Sequence, residues 1–162
     1  MAIAYIITGA NLGQRELALQ SAKDRIAATC GQVTQLSAIY ETEAWGKEDQ
    51  PAFLNQALAI ETKLSPDLLM ERILEIELAM GRTRKARYDA RTIDIDILFY
   101  GNEIINTDHV KIPHPQMQNR RFVLVPLNEI ASDFVHPVLE KTVREMLEDC
   151  RDRLGARVWE EV

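Results

Sequence analysis

Apolar residues recur along this chain with a period of two in some stretches and a period near 3.6 in others, and the switches between them outline its elements. The run Ile3 to Thr8 reads as a buried strand, ended by the turn residues Gly9-Ala10-Asn11-Leu12-Gly13. A helix follows from about Glu16, with Leu19, Ala22, Ile26 and Cys30 on one face and Gly31 as its stop. Val33 to Thr42 and Phe53 to Thr62 read as two strands, separated by a polar loop from Glu43 to Pro51 that contains Trp45. Ser65-Pro66 places a capping hydroxyl before a first-turn proline, and Leu69, Ile73, Ile76 and Met80 then form the apolar stripe of a second helix that stops at Gly81.

Beyond an arginine-rich loop, Thr92 to Tyr100 alternates. Ile93, Ile95, Ile97 and Phe99 are expected on one face and Asp94 and Asp96 on the other. Gly101-Asn102 is read as turning this strand into a short partner around Ile104 and Ile105. The remainder holds a Pro113-His114-Pro115 turn, an apolar segment from Phe122 to Ile130 and a final helix near Val143, Met146, Leu147 and Cys150. The order β-α-β-β-α-β-β followed by helices predicts an α+β, ferredoxin-like fold: a mainly antiparallel sheet backed by helices, with long loops at the site.

The chain has 162 residues, 46% of them hydrophobic, which suits one cored domain over residues 1–162. Its formal net charge of -6 argues against a general nucleic-acid or anionic-membrane binder, because such proteins carry basic surface to neutralise phosphates. Cys30 and Cys150 lie far apart with no metal-ligand spacing, so they read as reduced thiols rather than a disulfide. The apolar start lacks the basic flank of a secretion signal and no run approaches transmembrane length, so a cytoplasmic protein is expected.

Against that acidic background, Arg82, Arg84, Lys85, Arg87 and Arg91 crowd into one loop directly before Asp94 and Asp96. Five neighbouring cations repel one another unless an anion or the facing aspartates compensate, and guanidinium forks match phosphate oxygens. Two carboxylates on one strand face, roughly 7 Å apart at their Cα atoms, offer the hard oxygen donors that Mg²⁺ prefers. Together they indicate a metal-dependent phosphoryl-transfer site. Each part also has a plainer reading: a sheet face turned to water, a solvated charged loop. Gly9 to Gly13 is not followed by Lys-Ser or Lys-Thr and no Gly-x-Gly-x-x-Gly occurs, so a nucleotide would be held by side-chain cations and metal. His114, between two prolines and just before Asn119, Arg120, Arg121 and Phe122, suits a phosphate contact and equally a structural hydrogen bond. Tyr88 and Trp45 are candidates to close over a flat ring, or incidental surface aromatics.

With these residues in view, nearly the whole chain resembles the 6-hydroxymethyl-7,8-dihydropterin pyrophosphokinase family. The likeness runs through the Gly9-to-Gly13 turn, Tyr40-Glu41-Thr42, Asp49-Gln50-Pro51, Phe53-Leu54-Asn55, Glu77, Gly81-Arg82-Thr83-Arg84, Arg91-Thr92-Ile93-Asp94-Ile95-Asp96, Pro113-His114-Pro115 and Arg120-Arg121-Phe122. The resemblance implies diphosphate transfer from ATP to the pterin alcohol in folate biosynthesis, by a monomer without nucleic-acid or membrane partners. It implies two Mg²⁺ ions on Asp94 and Asp96, and ATP contacts from Glu77, Arg82, Arg84, Lys85, Arg91, His114 and Arg120. Arg82 and Arg91 join the two aspartates as catalytic groups. Pterin contacts are implied for Thr42, Trp45, Phe53, Asn55, Asp94 and Phe122, the two phenylalanines sandwiching the ring and Asn55 reading its edge. The family commonly has a small residue two places before the arginine matched by Arg91, whereas this chain has Asp89, and its loop is one residue shorter than in some relatives. That difference bears on loop closure and nucleotide affinity. A non-catalytic nucleic-acid or nucleotide module and a metal-dependent phosphatase are the rival readings. The acidic balance and 6% aromatic content weigh against the first, and release of inorganic phosphate without a pterin would mark the second.

Overall fold

The computed structural model of the chain describes residues 1–42, 51–81 and 93–159. In chain order the elements are β1 (Ala2–Ala10), α1 (Arg15–Thr29), β2 (Gln32–Leu36), β3 (Tyr40–Thr42), β4 (Phe53–Thr62), α2 (Pro66–Ala79), β5 (Asp94–Tyr100), β6 (Ile105–Asn106), β7 (Lys111–Ile112), α3 (Arg121–Ala131), α4 (Val143–Asp149) and β8 (Ala156–Val158). A 3₁₀ turn over Met117–Asn119 leads into α3. The main sheet runs β5-β1-β4-β3-β8, with β2 also paired to β4, and every described pairing is antiparallel. The expected α+β, ferredoxin-like arrangement is found, with helices on both faces of the sheet.

One core lies between the sheet and α1 and α2. There Leu19, Ala22 and Ile26 of α1 and Leu69, Ile73 and Ile76 of α2 meet Ala4, Ile6, Leu58, Ile60, Ile95 and Ile97. The second core joins Ile7, Ala57, Leu98 and Phe99 to Val123, Leu124 and Leu127 of α3 and Val143 and Met146 of α4. The two helix starts with good caps are those where a hydroxyl precedes the first turn: the Ser65 side chain accepts from Leu68 N–H, and Thr142 and Glu145 form a capping box on α4.

Three expectations need correction. Phe99 does not share a face with Ile95 and Ile97: Tyr5 pairs with Phe99 but Ile6 with Ile97, so Leu98 is an extra residue in β5. That bulge reverses the alternation and turns Leu98 and Phe99 into the second core. The stretch from Val33 to Thr42 is two strands, because Ser37 takes over part of the ladder; its hydroxyl accepts Ala57 N–H at 2.9 Å. Ile105 pairs with Ile112 of β7 rather than with β5, while Gly101 N–H donates back to Ile3 O. Gly31 does follow the end of α1, which stops at Thr29 with Cys30 as its C-cap, but it is not left-handed, unlike Gly81 at φ 82°. A Cβ at Gly31 would lie 2.2 Å from the Glu61 carbonyl oxygen, so glycine is required by the close approach of β4. The strand β8, paired to β3, was not foreseen. Both cysteines are free thiols, Cys30 buried and Cys150 half-buried. Among the described residues no helix is long and apolar enough to cross a membrane.

Candidate active site

The sheet register puts chemistry in rows. Gly9 of β1 is opposite Asn55 of β4 on one side and Asp94 of β5 on the other; one step along, Ile7 stands between Ala57 and Asp96. Asn55, Gly9 and Asp94 therefore cross three adjacent strands in line, with Asn55 and Asp94 two strand spacings apart, about 10 Å. Asp94 and Asp96 both leave the α3/α4 face and are half-exposed, as the alternation upstream of the bulge requires. Phe53 shares that face, its Cδ1 lying 3.6 Å from where a Gly9 Cβ would be.

Asn55 is buried and held at both ends of its amide. Its Oδ1 accepts the Thr42 hydroxyl at 2.6 Å and its Nδ2 donates to Thr8 O at 3.4 Å. On the outer side of β5, Glu77 projects from α2 and, at 4% exposure, its carboxylate accepts Ile95 N–H at 2.9 Å. The edge is also closed further along, where His114 N–H donates to Leu98 O. A cis Ile112-Pro113 peptide precedes His114.

His114 is half-buried, and its Nδ1 accepts Gln116 N–H at 3.2 Å, so in the neutral ring Nε2 carries the hydrogen. Its pKa is held down at about 4, chiefly by burial and then by the Arg120 cation, with Asp94 opposing both. Asp94, His114 and Arg120 thus lie within electrostatic reach of one another. The Arg120 guanidinium sits 5.8 Å from the centre of the Phe122 ring, and Phe122, at the start of α3, packs partly against the second core.

Among the described residues no group of three or more His, Cys, Asp or Glu side chains could hold a metal ion. Two half-exposed carboxylates on one face are nonetheless the donor set that suits Mg²⁺, which keeps several waters and takes the rest of its oxygens from substrate phosphates. The residues present fit that ion as a shared ligand with a polyphosphate, not as an all-protein cage.

Of the expected site residues, the structure brings Asp94, Asp96, Asn55, Phe53 and Thr42 to one end of the sheet face, with His114, Arg120 and Phe122 at the α3 approach. Glu77 lies behind β5. Trp45, Asp49, Gln50, Arg82, Arg84, Lys85, Arg87, Tyr88, Asp89 and Arg91 fall outside the described residues. A surface cavity of about 390 Å³ lined by Gln118, Asn119, Asp149, Cys150, Arg151 and Asp152 shares no residue with the aspartate face.

Three contributors escaped the sequence reading. Asn11, buried at the end of β1, donates from Nδ2 to Pro51 O at 3.1 Å. Arg15 donates to Ala52 O at 2.7 Å and stacks over Trp159. Glu129 of α3 accepts Tyr40 O–H at 2.6 Å and Ala38 N–H at 3.0 Å, tying α3 to the gap between β2 and β3. These bonds join residues 37 to 91 positions apart, a separation on which local spacing is silent.

The model of the 7,8-dihydro-6-hydroxymethylpterin-pyrophosphokinase family matches residues 5–132. A 2-amino-4-hydroxy-6-hydroxymethyldihydropteridine pyrophosphokinase of Bacillus subtilis is 42% identical over 98% of this chain and 91% of its own length. One of Methylorubrum extorquens is 45% identical over 91% of this chain and 92% of its own. Among solved structures, a Plasmodium falciparum HPPK-DHPS with pterin and p-hydroxybenzoate superposes with a TM-score of 0.72 at 18% identity, over 91% of this chain. The chain spans 41% of that longer protein, and the likeness carries the fold alone.

Proposed function

The chain belongs to the 7,8-dihydro-6-hydroxymethylpterin-pyrophosphokinase family and is a pyrophosphokinase of folate biosynthesis; from that premise we propose how its own residues carry the reaction. The hydroxymethyl oxygen of 6-hydroxymethyl-7,8-dihydropterin attacks the β-phosphorus of ATP, the bond from that phosphorus to the α-phosphate oxygen breaks, and AMP leaves. Residues 1–162 act as one domain, in a cytoplasmic monomer without nucleic-acid partners.

The observation that carries this assignment is the row of Asn55, Gly9 and Asp94, which sets an amide that can read a ring beside carboxylates that can hold a metal-bound polyphosphate. Asp94 and Asp96 hold two Mg²⁺ ions, which neutralise charge on the phosphate oxygens when bound. His114, neutral at pH 7, offers its Nε2–H to a phosphate oxygen as a donor that adds no charge. Arg120 supplies the cation beside it, joined by Arg82, Arg84, Lys85 and Arg91 from the loop before β5. Phe53 and Phe122 grip the flat pterin and Asn55 hydrogen-bonds its edge. Glu77 sits near the nucleotide and braces β5. Catalysis then rests on positioning and charge neutralisation, as in other phosphoryl transfers.

The test is product analysis with ATP, Mg²⁺ and the pterin alcohol. AMP and a pterin diphosphate formed only when pterin is present support the assignment. ADP would show a single-phosphate kinase, and inorganic phosphate without pterin would show a phosphatase.

A further inference from the structure

We propose that Asp152 is a positioning residue of the site: its carboxylate caps the start of α3 from outside the helix and so holds Phe122 and Arg120 in place before either substrate arrives. The inference rests on the assignment above, in which Phe122 grips the pterin and Arg120 meets phosphate.

The first N–H groups of a helix have no carbonyl a turn earlier to donate to, and a short polar side chain at the cap position usually accepts one of them. In α3 the cap position is held by Arg120, whose side chain carries donors alone and makes no cap. Arg120 and Arg121 also set two cations at the positive end of the helix dipole. A serine or aspartate at position 120 would meet both needs locally, but it would remove the guanidinium whose charge reaches His114. The capping duty falls instead to a residue 31 positions away, where Asp152 Oδ2 accepts Arg121 N–H at 2.9 Å. Its negative charge offsets the two arginines at the same end of the helix.

The carboxylate is itself held. Asp152 Oδ1 accepts Leu154 N–H at 2.9 Å, so each oxygen has a backbone donor and the group is not free to rotate. Beyond it β8 pairs with β3, and Trp159 N–H donates to Ile39 O at 2.8 Å. The segment from Asp152 to Trp159 therefore fastens the start of α3 to the strand that ends at Thr42. Glu129 fastens α3 again through Tyr40 and Ala38, but about two turns beyond Phe122, which leaves the first turn to Asp152. Phe122 is half-buried and only borders the second core, so its ring follows the backbone from which it springs. Phe122 and Arg120 flank Arg121, and a shift of that one N–H moves ring and cation together.

The experiment measures Kd for the pterin alcohol by calorimetry, with Mg²⁺ and an ATP analogue whose α,β-bridging oxygen is a methylene, so that no transfer occurs. Hydrogen exchange at Arg121 N–H is followed in the ligand-free protein. Asp152→Ala removes both acceptors, whereas Asp152→Asn keeps an oxygen that can accept Arg121 N–H. The expected result is pterin binding about three- to tenfold weaker in Asp152→Ala, the scale of one lost cap, with faster exchange at Arg121 and recovery of most of both in Asp152→Asn. Gly31→Ala controls for lost stability: it strains a turn away from the site, so its pterin Kd should match the wild type. Asp152→Glu, which displaces the carboxylate by one methylene, takes the place of Asp152→Ala if that variant does not fold. Undiminished pterin binding or unchanged Arg121 exchange on loss of the carboxylate, or an equal loss of binding in Gly31→Ala, overturns the inference and leaves the assignment intact wherever the wild type forms AMP. Pterin binding that depends on Asp152 in a protein that forms no AMP leaves the inference standing and refutes the assignment. A wild type that binds no pterin overturns both.

Discussion

The Glu77 carboxylate accepts the backbone N–H of Ile95 at 2.9 Å, and Ile95 is the residue between the two candidate metal-binding aspartates. Among the described residues β5 is the last strand of its sheet, and no strand there lies beyond it to bond this N–H. Burying it without a partner would cost about 1–3 kcal/mol, and a helix side chain meets that need while fixing the backbone from which Asp94 and Asp96 project.

Glu77→Ala is therefore expected to lower stability by about that amount, roughly 2–4 °C in Tm for each kcal/mol in a chain of this size. Glu77→Gln retains an acceptor oxygen and should recover most of the loss. Equal melting of the two variants would mean the hydrogen bond contributes little.

Asp96→Ala should reduce pterin-dependent AMP formation at least about a hundredfold, since a metal clamp stabilises transferring phosphate by several kcal/mol. Asp96 is half-exposed, so the fold should persist, checked by circular dichroism. Near-normal turnover would remove Asp96 from the metal site.

His114 predicts an acid limit. Its pKa in the folded chain, about 4, lies below the ordinary value of 6.5, so the unfolded chain takes up the proton first as pH falls. The stability it contributes is complete above about pH 6.5 and is lost progressively towards pH 4. His136, whose pKa burial also lowers, adds in the same direction. In the metal-free protein an NMR titration of the His114 ring should show a midpoint near 4. A midpoint near 6.5 would mean that the ring is not desolvated as described.

Gly31→Ala separates stability from catalysis. The added methyl would meet the Glu61 carbonyl at 2.2 Å, a backbone atom that cannot swing aside. Overpacking of this kind typically costs about 1–3 kcal/mol. Gly31 sits between α1 and β2, away from the Asn55-to-Asp94 row, so Michaelis constants for both substrates should not change. A shift in either would show that this end of the sheet communicates with the site.

Much of the molecule was legible from spacing because its signals are local. The stripe Leu69, Ile73, Ile76 announces α2, and Ser65-Pro66 marks its start to the residue. Asp94 and Asp96 stood out because alternation assigns them one face whatever the strand pairs with. What stayed hidden needed a partner distant in the chain. The inward turn of Phe99 depends on a register shift against Tyr5 and Ile6 of β1. β8 is three residues long, too short for its alternation to announce a strand, and it pairs along the edge that β3 offers. Thr42 pointed to the ring only through family likeness. Its bond to Asn55 emerges when β3 and β4 lie side by side.

The bulge at Leu98 also divides labour along a single strand. Before it, β5 turns carboxylates outward on the face that α3 and α4 leave open; after it, the same face receives Leu98 and Phe99 and is sealed. Glu77 and His114 occupy main-chain groups on the strand's outer margin on either side of that change. A boundary strand with free main-chain groups invites pairing with another molecule. Here a helix carboxylate and a proline-flanked turn take up two of those groups beside the site, which guards against intermolecular sheet growth at the very strand that must stay reachable for ligands.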